Sequence, residues 1–374
     1  GGAGIAVRLA RTLSHQYGFH VRLFIDDPAP LHKLVPGGFG EMVDVVFPPP
    51  LWGRVASAGE PGEGKQKYGF EPPLPPSANA LGPFPPHKGG GNLAADLVIE
   101  LLGAEIPEDY IAAMRECPYD PPVWIRYDYL SAENWIDDAH LKSSPHPKLG
   151  LARTFFYPGF TDQTGGILFS DILSVAPPAS APRPTRIFMF SYDQSEIRGL
   201  ADMWAQGYHP IALDLSVGSY LVDRPVSSGN LAVQELPFLP QVDFDQMIGT
   251  VDVAFIRGED SFSQAIAAGV PVIWQIYPTD DQAHIVKLQA FCDRFRVGLG
   301  AGAARAFIDM QMRWNGEVGR HPRAGGDLDA IKEAWTHFTT HFGEISARAR
   351  AFGAEIRARG SAAQNLVDFY YKSR

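Results

Sequence analysis

A two-domain α/β fold with parallel sheets is what this sequence predicts. Twice along the chain, short apolar runs alternate with segments of helical period, as strands covered by helices on both faces do. Between the two series lies PPASAPRP, residues 177–184, a proline-rich stretch that continues neither element. From residue 327 to 371, Ala, Arg and Glu recur at helical spacing, which predicts a helical C-terminus.

In the first series, Ile5, Leu9 and Leu13 share one face of a helix over residues 5–17, which Gly18 stops. Strands are predicted over 21–25, 43–47, 93–102 and 123–127, with helices over 31–35 and 107–117. Glu100, near the end of its strand, is expected to face a cleft. The polar and aromatic stretch after residue 127 is expected to pack mostly under a loop. Gly165-Gly166 predicts a tight surface turn, with a turn approached by phosphate as the alternative. Residues 48–92, dominated by Pro and Gly, are expected to form a poorly ordered insertion. The chain enters its first helix from Gly1-Gly2-Ala3-Gly4, a kind of turn that normally follows the first strand of a nucleotide-binding-like sheet. No such strand stands before it, so the first half is expected to lack one and to hold its sheet less firmly.

The second series predicts strands over 186–190, 209–213 and 231–236, with helices over 194–206 and 243–249. The unit at 251–291 organises the rest. An apolar run from Val251 to Ile256 breaks at Arg257-Gly258, and a helix starts at Glu259-Asp260-Ser261. Ser261 and Gln264 fit a capping box. Gly269 ends that helix and a second apolar run, 270–276, follows. Open parallel sheets bind ligands at the carboxyl ends of their strands, and a helix N-terminus there attracts phosphate. Most strand-glycine-helix junctions bind nothing. This one is marked by the density of polar side chains at the two strand ends: Arg257, Glu259, Asp260, Ser261, Gln275, Tyr277, Asp280, Asp281 and His284. The predicted organisation is a first domain over 1–176, a linker over 177–185 and a second domain over 186–374.

At 374 residues the chain is long enough for two domains and a large core. Its formal net charge of −10 argues against non-specific nucleic-acid binding and suits a cationic partner. The two cysteines, Cys117 and Cys292, are far apart and lack metal-ligand spacing, so they read as reduced thiols of a cytoplasmic protein. No apolar run is long enough to span a bilayer, and no signal peptide is visible.

The motifs RGEDSF and WQIYPTDDQAHIVKLQAF, at 257–262 and 274–291, resemble the EarP family of arginine rhamnosyltransferases that act on elongation factor P. The same order of motifs continues through VRLARTL, VRLFIDD, YDYLSAENWID, SSPHP, FFYPGFTDQTGG and ELPFLPQVDFD, covering nearly the whole chain. The resemblance implies a GT-B fold, in which two Rossmann-like domains face each other across a cleft. It implies an inverting transfer of L-rhamnose from dTDP-β-L-rhamnose to an arginine of elongation factor P, with no metal or cofactor.

Carried over residue by residue, the resemblance makes Phe238 and Phe244 the aromatic neighbours of thymine and ribose, although by pattern alone both would be core. Gln241 is expected to hydrogen-bond the base. Arg257 is expected at the diphosphate, with a structural ion pair as the alternative. Asp260 and Ser261 stand where backbone N–H groups face the phosphates, and Tyr192, Gln275 and Tyr277 are expected to donate to the same group. Glu259 matches the family's essential acid, facing either the ribose hydroxyls or the acceptor guanidinium. Aligning Arg8-Leu9-Ala10-Arg11 with the family's RLAR places Gly2 where the general base is expected, and no upstream aspartate is present. A non-catalytic or truncated homologue, binding dTDP-rhamnose or elongation factor P without turnover, is therefore the alternative. A GT-B enzyme with another donor or acceptor is the third.

Overall fold

The computed structural model describes residues 2–25, 27–46, 95–116, 120–175, 183–192, 196–216, 223–279, 281–316 and 327–374. The predicted 48–92 insertion and most of the predicted linker lie outside these residues, as do Cys117 and Asp280.

In the first half the order is α1 (Gly2–Tyr17), β1 (Val21–Phe24), α2 (Ala29–Leu34), β2 (Val43–Val46) and β3 (Leu97–Leu101). Then come α3 (Glu108–Arg115), β4 (Val123–Tyr127), α4 (Trp135–Ala139), β5 (Ser143–Pro145) and β6 (Ala152–Phe156). The strands form two sheets rather than one: a parallel pair β1-β2, and a four-stranded sheet in the order β3-β4-β6-β5 whose edge strand β5 is antiparallel. No ladder joins β1 to β3 among the described residues. They share apolar cores instead: Val21 of β1 packs against the same core as Leu97 and Ile99 of β3, and Phe24 meets Tyr110 of α3 edge-on at 6.1 Å.

Two features of this half differ from the sequence expectation. Glu100 does not face a cleft. It is 3% exposed, and its carboxylate lies 3.1 Å from Arg126 Nη1 and 3.4 Å from Arg153 Nη1. A carboxylate that deep needs cationic partners to offset its lost hydration. Nor is Gly165-Gly166 a surface turn. Both glycines are buried, and a Cβ on Gly165 would stand 2.2 Å from the Phe156 ring. Phe156 itself stacks on Tyr127 at 5.5 Å, so glycine is required by close packing.

His140, at the end of α4, also serves packing. Its Nδ1 accepts from Tyr157 N at 3.0 Å and its ring meets Phe156 edge-on at 4.9 Å. Burial pulls its pKa down to about 4, so the folded state favours the neutral ring. The stability it contributes is complete above the unfolded value of roughly 6.5 and is lost as pH falls towards 4. His140→Asn is expected to flatten the fall of melting temperature across that window, and parallel curves for the two proteins would contradict this.

The second half runs β7 (Thr185–Phe190), α5 (Glu196–Gln206), β8 (Ile211–Ser216), β9 (Leu231–Leu236), α6 (Gln241–Ile248), β10 (Val253–Arg257), α7 (Asp260–Ala268) and β11 (Val272–Gln275). The helices α8 (Ala283–Phe295), α9 (Ala301–Trp314), α10 (Leu328–Thr340), α11 (Phe342–Ala358) and α12 (Ala362–Ser373) complete it. Its five strands are all parallel in the order β11-β10-β7-β8-β9. Helices cover both faces, which is why β10 and β11 read as unbroken apolar runs.

As an edge strand β11 would leave backbone groups unpaired. The side-chain amides of α9 and the residue after it satisfy them: Gln311 accepts from Trp274 N at 3.0 Å, and Asn315 accepts from Ile276 N at 2.9 Å while donating to Trp274 O at 2.7 Å. Gly269 adopts φ 77° and terminates α7 as predicted. The Ser261–Gln264 capping box does not form. The helix starts earlier, with Glu259 at its N-cap and no side-chain cap bond there, so Ser261 lies inside the first turn, and the Gln264 amide reaches across to Ser170 N at 2.9 Å and Leu168 O at 3.0 Å in the first half.

That crossing is one of several. Leu130, Ala132, Phe160 and Ile167 of the first half join the main core of the second. In return α12, which the sequence reading grouped with the second half, packs its Ala362, Ala363, Leu366 and Val367 against Ile5, Leu9 and Leu13 of α1. The halves are thus held together by apolar burial as well as polar contacts.

Candidate active site

The strand order of the second half reverses direction between β7 and β10. Such a switch point opens a crevice at the carboxyl ends of the strands, where the flanking loops diverge. In register, Arg257 at the end of β10 lies beside Gln275 at the end of β11. Tyr192 follows β7 by two residues, and its backbone N–H donates to Gln275 Oε1 at 2.6 Å. The Arg257 guanidinium lies 4.6 Å from the Phe190 ring centre and 4.5 Å from that of Tyr192, and Tyr192 meets Tyr277 edge-on at 6.0 Å. Tyr192, Arg257, Gln275 and Tyr277 therefore form one group. A guanidinium held against aromatic faces gains a cation–π contact, and its planar fork of donors matches the geometry of a phosphate or carboxylate.

The turn from β10 into α7 carries the acidic pair. Trp274 Nε1 donates to Gly258 O at 3.0 Å and fixes this turn. Glu259 accepts from Lys287 Nζ of α8 at 2.6 Å on one oxygen and from Leu130 N of the first half at 3.1 Å on the other. Its neighbour Asp260 accepts from Arg8 Nε of α1 at 2.7 Å, and Arg8 Nη1 donates to Asp245 of α6 at 2.6 Å. Glu259 and Asp260 line a crevice with Ile5, Tyr127, Leu130, Pro158, Leu168 and Ser263. Ser261 sits half-buried in the first turn of α7, whose N-terminus carries no side-chain cap. Uncapped N–H groups are available to an anion.

The predicted base-binding residues lie on α6 and just before it. Phe238 is 39% exposed, with Lys33 Nζ 5.9 Å from its ring centre. Phe244 is half-buried, edge-on to Phe188 at 5.7 Å against the main core. Gln241 is buried; its Nε2 donates to Gly4 O at 2.7 Å, while its Oε1 has no partner among the described residues. Two polar residues of the 251–291 unit serve the local chain instead. Asp281 accepts from Ala283 N at 3.1 Å, and His284 Nδ1 accepts from Thr279 N at 3.0 Å, its pKa lowered by burial. Among the described residues no three His, Cys, Asp or Glu side chains cluster as a metal site would need.

Sequence reasoning missed Arg8, Lys287 and the Leu130 amide as neighbours of the acidic pair. Arg8 and Lys287 both stood inside quoted motifs, and each is a cation among apolar helix positions. That signal could have been followed. The backbone N–H of Leu130 carries no sequence signal at all.

The sequence profile described as "Elongation-Factor P (EF-P) rhamnosyltransferase EarP" matches residues 86–371. The chain belongs to the EarP family. It is similar to a protein-arginine rhamnosyltransferase of Pseudomonas putida, at 31% identity over all of this chain and 96% of that relative. A Pseudomonas aeruginosa protein of the same name is 29% identical over 99% of this chain and 95% of its own length. Among solved structures, the calicheamicin glycosyltransferase CalG4 superposes with a TM-score of 0.50 at 13% identity, over 98% of this chain and 94% of that one. The fold is therefore GT-B, and the EarP-family chain is an enzyme of the glycosyltransferase class. No described helix is long and apolar enough to cross a membrane.

Proposed function

We propose that this chain transfers L-rhamnose from dTDP-β-L-rhamnose to an arginine side chain of elongation factor P, with inversion at the anomeric carbon, in the cytoplasm and without a metal or cofactor. The observation that carries this reading is the group Tyr192, Arg257, Gln275 and Tyr277, gathered at the switch point beside the uncapped N-terminus of α7. Departure of dTDP builds negative charge on its diphosphate, and pre-aimed donors that need no reorganisation are what lowers that barrier. Arg257 neutralises the charge, the Tyr192 and Tyr277 hydroxyls and the Gln275 amide add donors, and Asp260 and Ser261 present their backbone N–H groups.

Phe238 offers an exposed ring for the thymine to stack on, and Phe244 stands on α6 with its ring against Phe188. Gln241 Oε1, which has no partner among the described residues, is the acceptor this reading assigns to a base N–H. Phe238→Ala is expected to weaken dTDP binding by about 1–3 kcal/mol, read by calorimetry; an unchanged dissociation constant would return Phe238 to a packing role. Glu259 lines a small cavity at the seam of the two halves, and in this reading the acceptor guanidinium meets it there when the seam opens. A carboxylate offers about four acceptor positions on its two oxygens, so Lys287 and Leu130 N do not use up its hydrogen-bonding capacity. The acceptor guanidinium has a pKa above roughly 12 and needs a nearby carboxylate to become nucleophilic.

A second reading is binding of the donor or of elongation factor P without turnover. It is favoured by Gly2, which brings no side chain to the position where the family resemblance places the base. The test is calorimetric titration with dTDP-β-L-rhamnose, then addition of elongation factor P and a search by mass spectrometry for one deoxyhexose on an arginine. Binding with transfer supports the leading reading, and binding without transfer supports the second. A well-folded protein that binds another sugar nucleotide more tightly overturns the choice of donor.

A further inference from the structure

We propose that Arg8 is a positioning residue that ties closure of the two halves to the donor site by holding Asp260. The inference rests on the donor reading above. Arg8 projects from α1 of the first half into the second, where its side chain is 4% exposed. Its Nη1 meets Asp245 Oδ2 at 2.6 Å, its Nε meets Asp260 Oδ1 at 2.7 Å, and its Nη2 reaches Asp260 Oδ2 at 3.3 Å. The two carboxylates are not equivalent. Asp245, with a side chain 2% exposed, anchors the guanidinium inside the protein; Asp260, at 16%, lines the crevice at the first turn of α7.

The backbone of α1 takes part in the same contact. Gln241 Nε2 bridges Gly4 O at 2.7 Å and Asp260 Oδ2 at 3.4 Å. A Cβ on Gly4 would stand 2.9 Å from Asp260 Oδ2, so α1 comes this close only because residue 4 has no side chain. Two residues assigned to the donor, Gln241 and Asp260, are therefore oriented by a helix of the opposite half. When the halves separate, both lose these partners together. A buried ion cluster of this kind is poor evidence for stability, since apolar residues of similar volume serve as well or better. Directing Asp260 is a role that such residues cannot fill.

The test uses the full chain and the dissociation constant of dTDP-β-L-rhamnose by calorimetry, with melting temperature recorded for every variant. The pair Arg8→Met with Asp245→Leu removes the buried charges together and leaves Asp260 without its cation. It is expected to melt close to the parent and to bind the donor about tenfold or more weakly, tenfold corresponding to about 1.4 kcal/mol. Arg8→Lys is expected to recover part of that affinity. Asp260→Asn alone, which leaves Arg8 on Asp245, is expected to weaken binding similarly, and adding it to the pair is expected to cost little more, because residues acting through one contact are not additive. Parent-like affinity in the folded pair overturns the proposal. If the pair does not fold, parent-like affinity in Asp260→Asn overturns it. Full additivity does so as well. A folded parent that binds no donor overturns the donor reading and this one with it, which separates the two failures.

Discussion

Glu259→Ala is expected to lower the rate of rhamnosyl transfer by about 10²- to 10³-fold, the usual effect of removing one pre-aimed polar group from a reacting centre. The fold should survive. The Glu259 side chain is 16% exposed at the crevice rather than inside the core, and Lys287, which loses its partner, is 20% exposed and can be hydrated. Glu259→Gln sharpens the test, since an amide oxygen can still accept from Leu130 N while the charge is gone. A loss in both variants, with melting temperatures near that of the parent, assigns the effect to the charge. Parent-like transfer by Glu259→Ala, followed by mass spectrometry of the acceptor, would remove Glu259 from the site.

Phe262→Ala carries the largest expected cost in stability, about 3–5 kcal/mol. The residue is fully buried on α7, immediately behind the acidic pair. Its ring stacks on Trp274 at 4.1 Å, meets Phe291 edge-on at 5.0 Å, and touches Phe160 of the first half at 6.4 Å. Truncation opens a cavity that none of these rigid rings can close. It also loosens Trp274, whose indole holds Gly258 O and with it the turn that presents Glu259. Urea denaturation measures the loss, and a midpoint close to the parent's would show that the aromatic cluster collapses into the gap. Donor binding by the folded fraction should weaken as well, because the same ring supports the site.

The β10–α7–β11 unit is legible in the sequence for a local reason. Strands covered on both faces must be apolar throughout, and a helix ended by a left-handed residue calls for the glycine found at position 269. The helices α8 and α9 were not assigned. Much of α9 is small residues, AGAA before RAF, whose apolar face shows only once Phe307, Met310 and Trp314 are seen to pack. The capping box failed because the helix starts at Asp260, which puts Ser261 past the cap, and Gln264 pairs instead with two backbone groups of the first half that would be costly to leave unpaired in the interior.

By itself, then, the sequence determined the alternation of elements, the strand-end residues Arg257, Glu259, Asp260 and Gln275, and membership of a family through motifs in a fixed order. Tertiary structure alone decided that Glu259 is shared by Lys287 and Leu130 N, that the Gln264 amide crosses to the first half, and that Arg8 holds Asp260 across 252 positions of chain. Strand and helix periods are set by each segment's own burial and can be read along the chain. Which polar group meets which is set by the packing of the two halves, where a buried charge must find a partner wherever the fold has brought one.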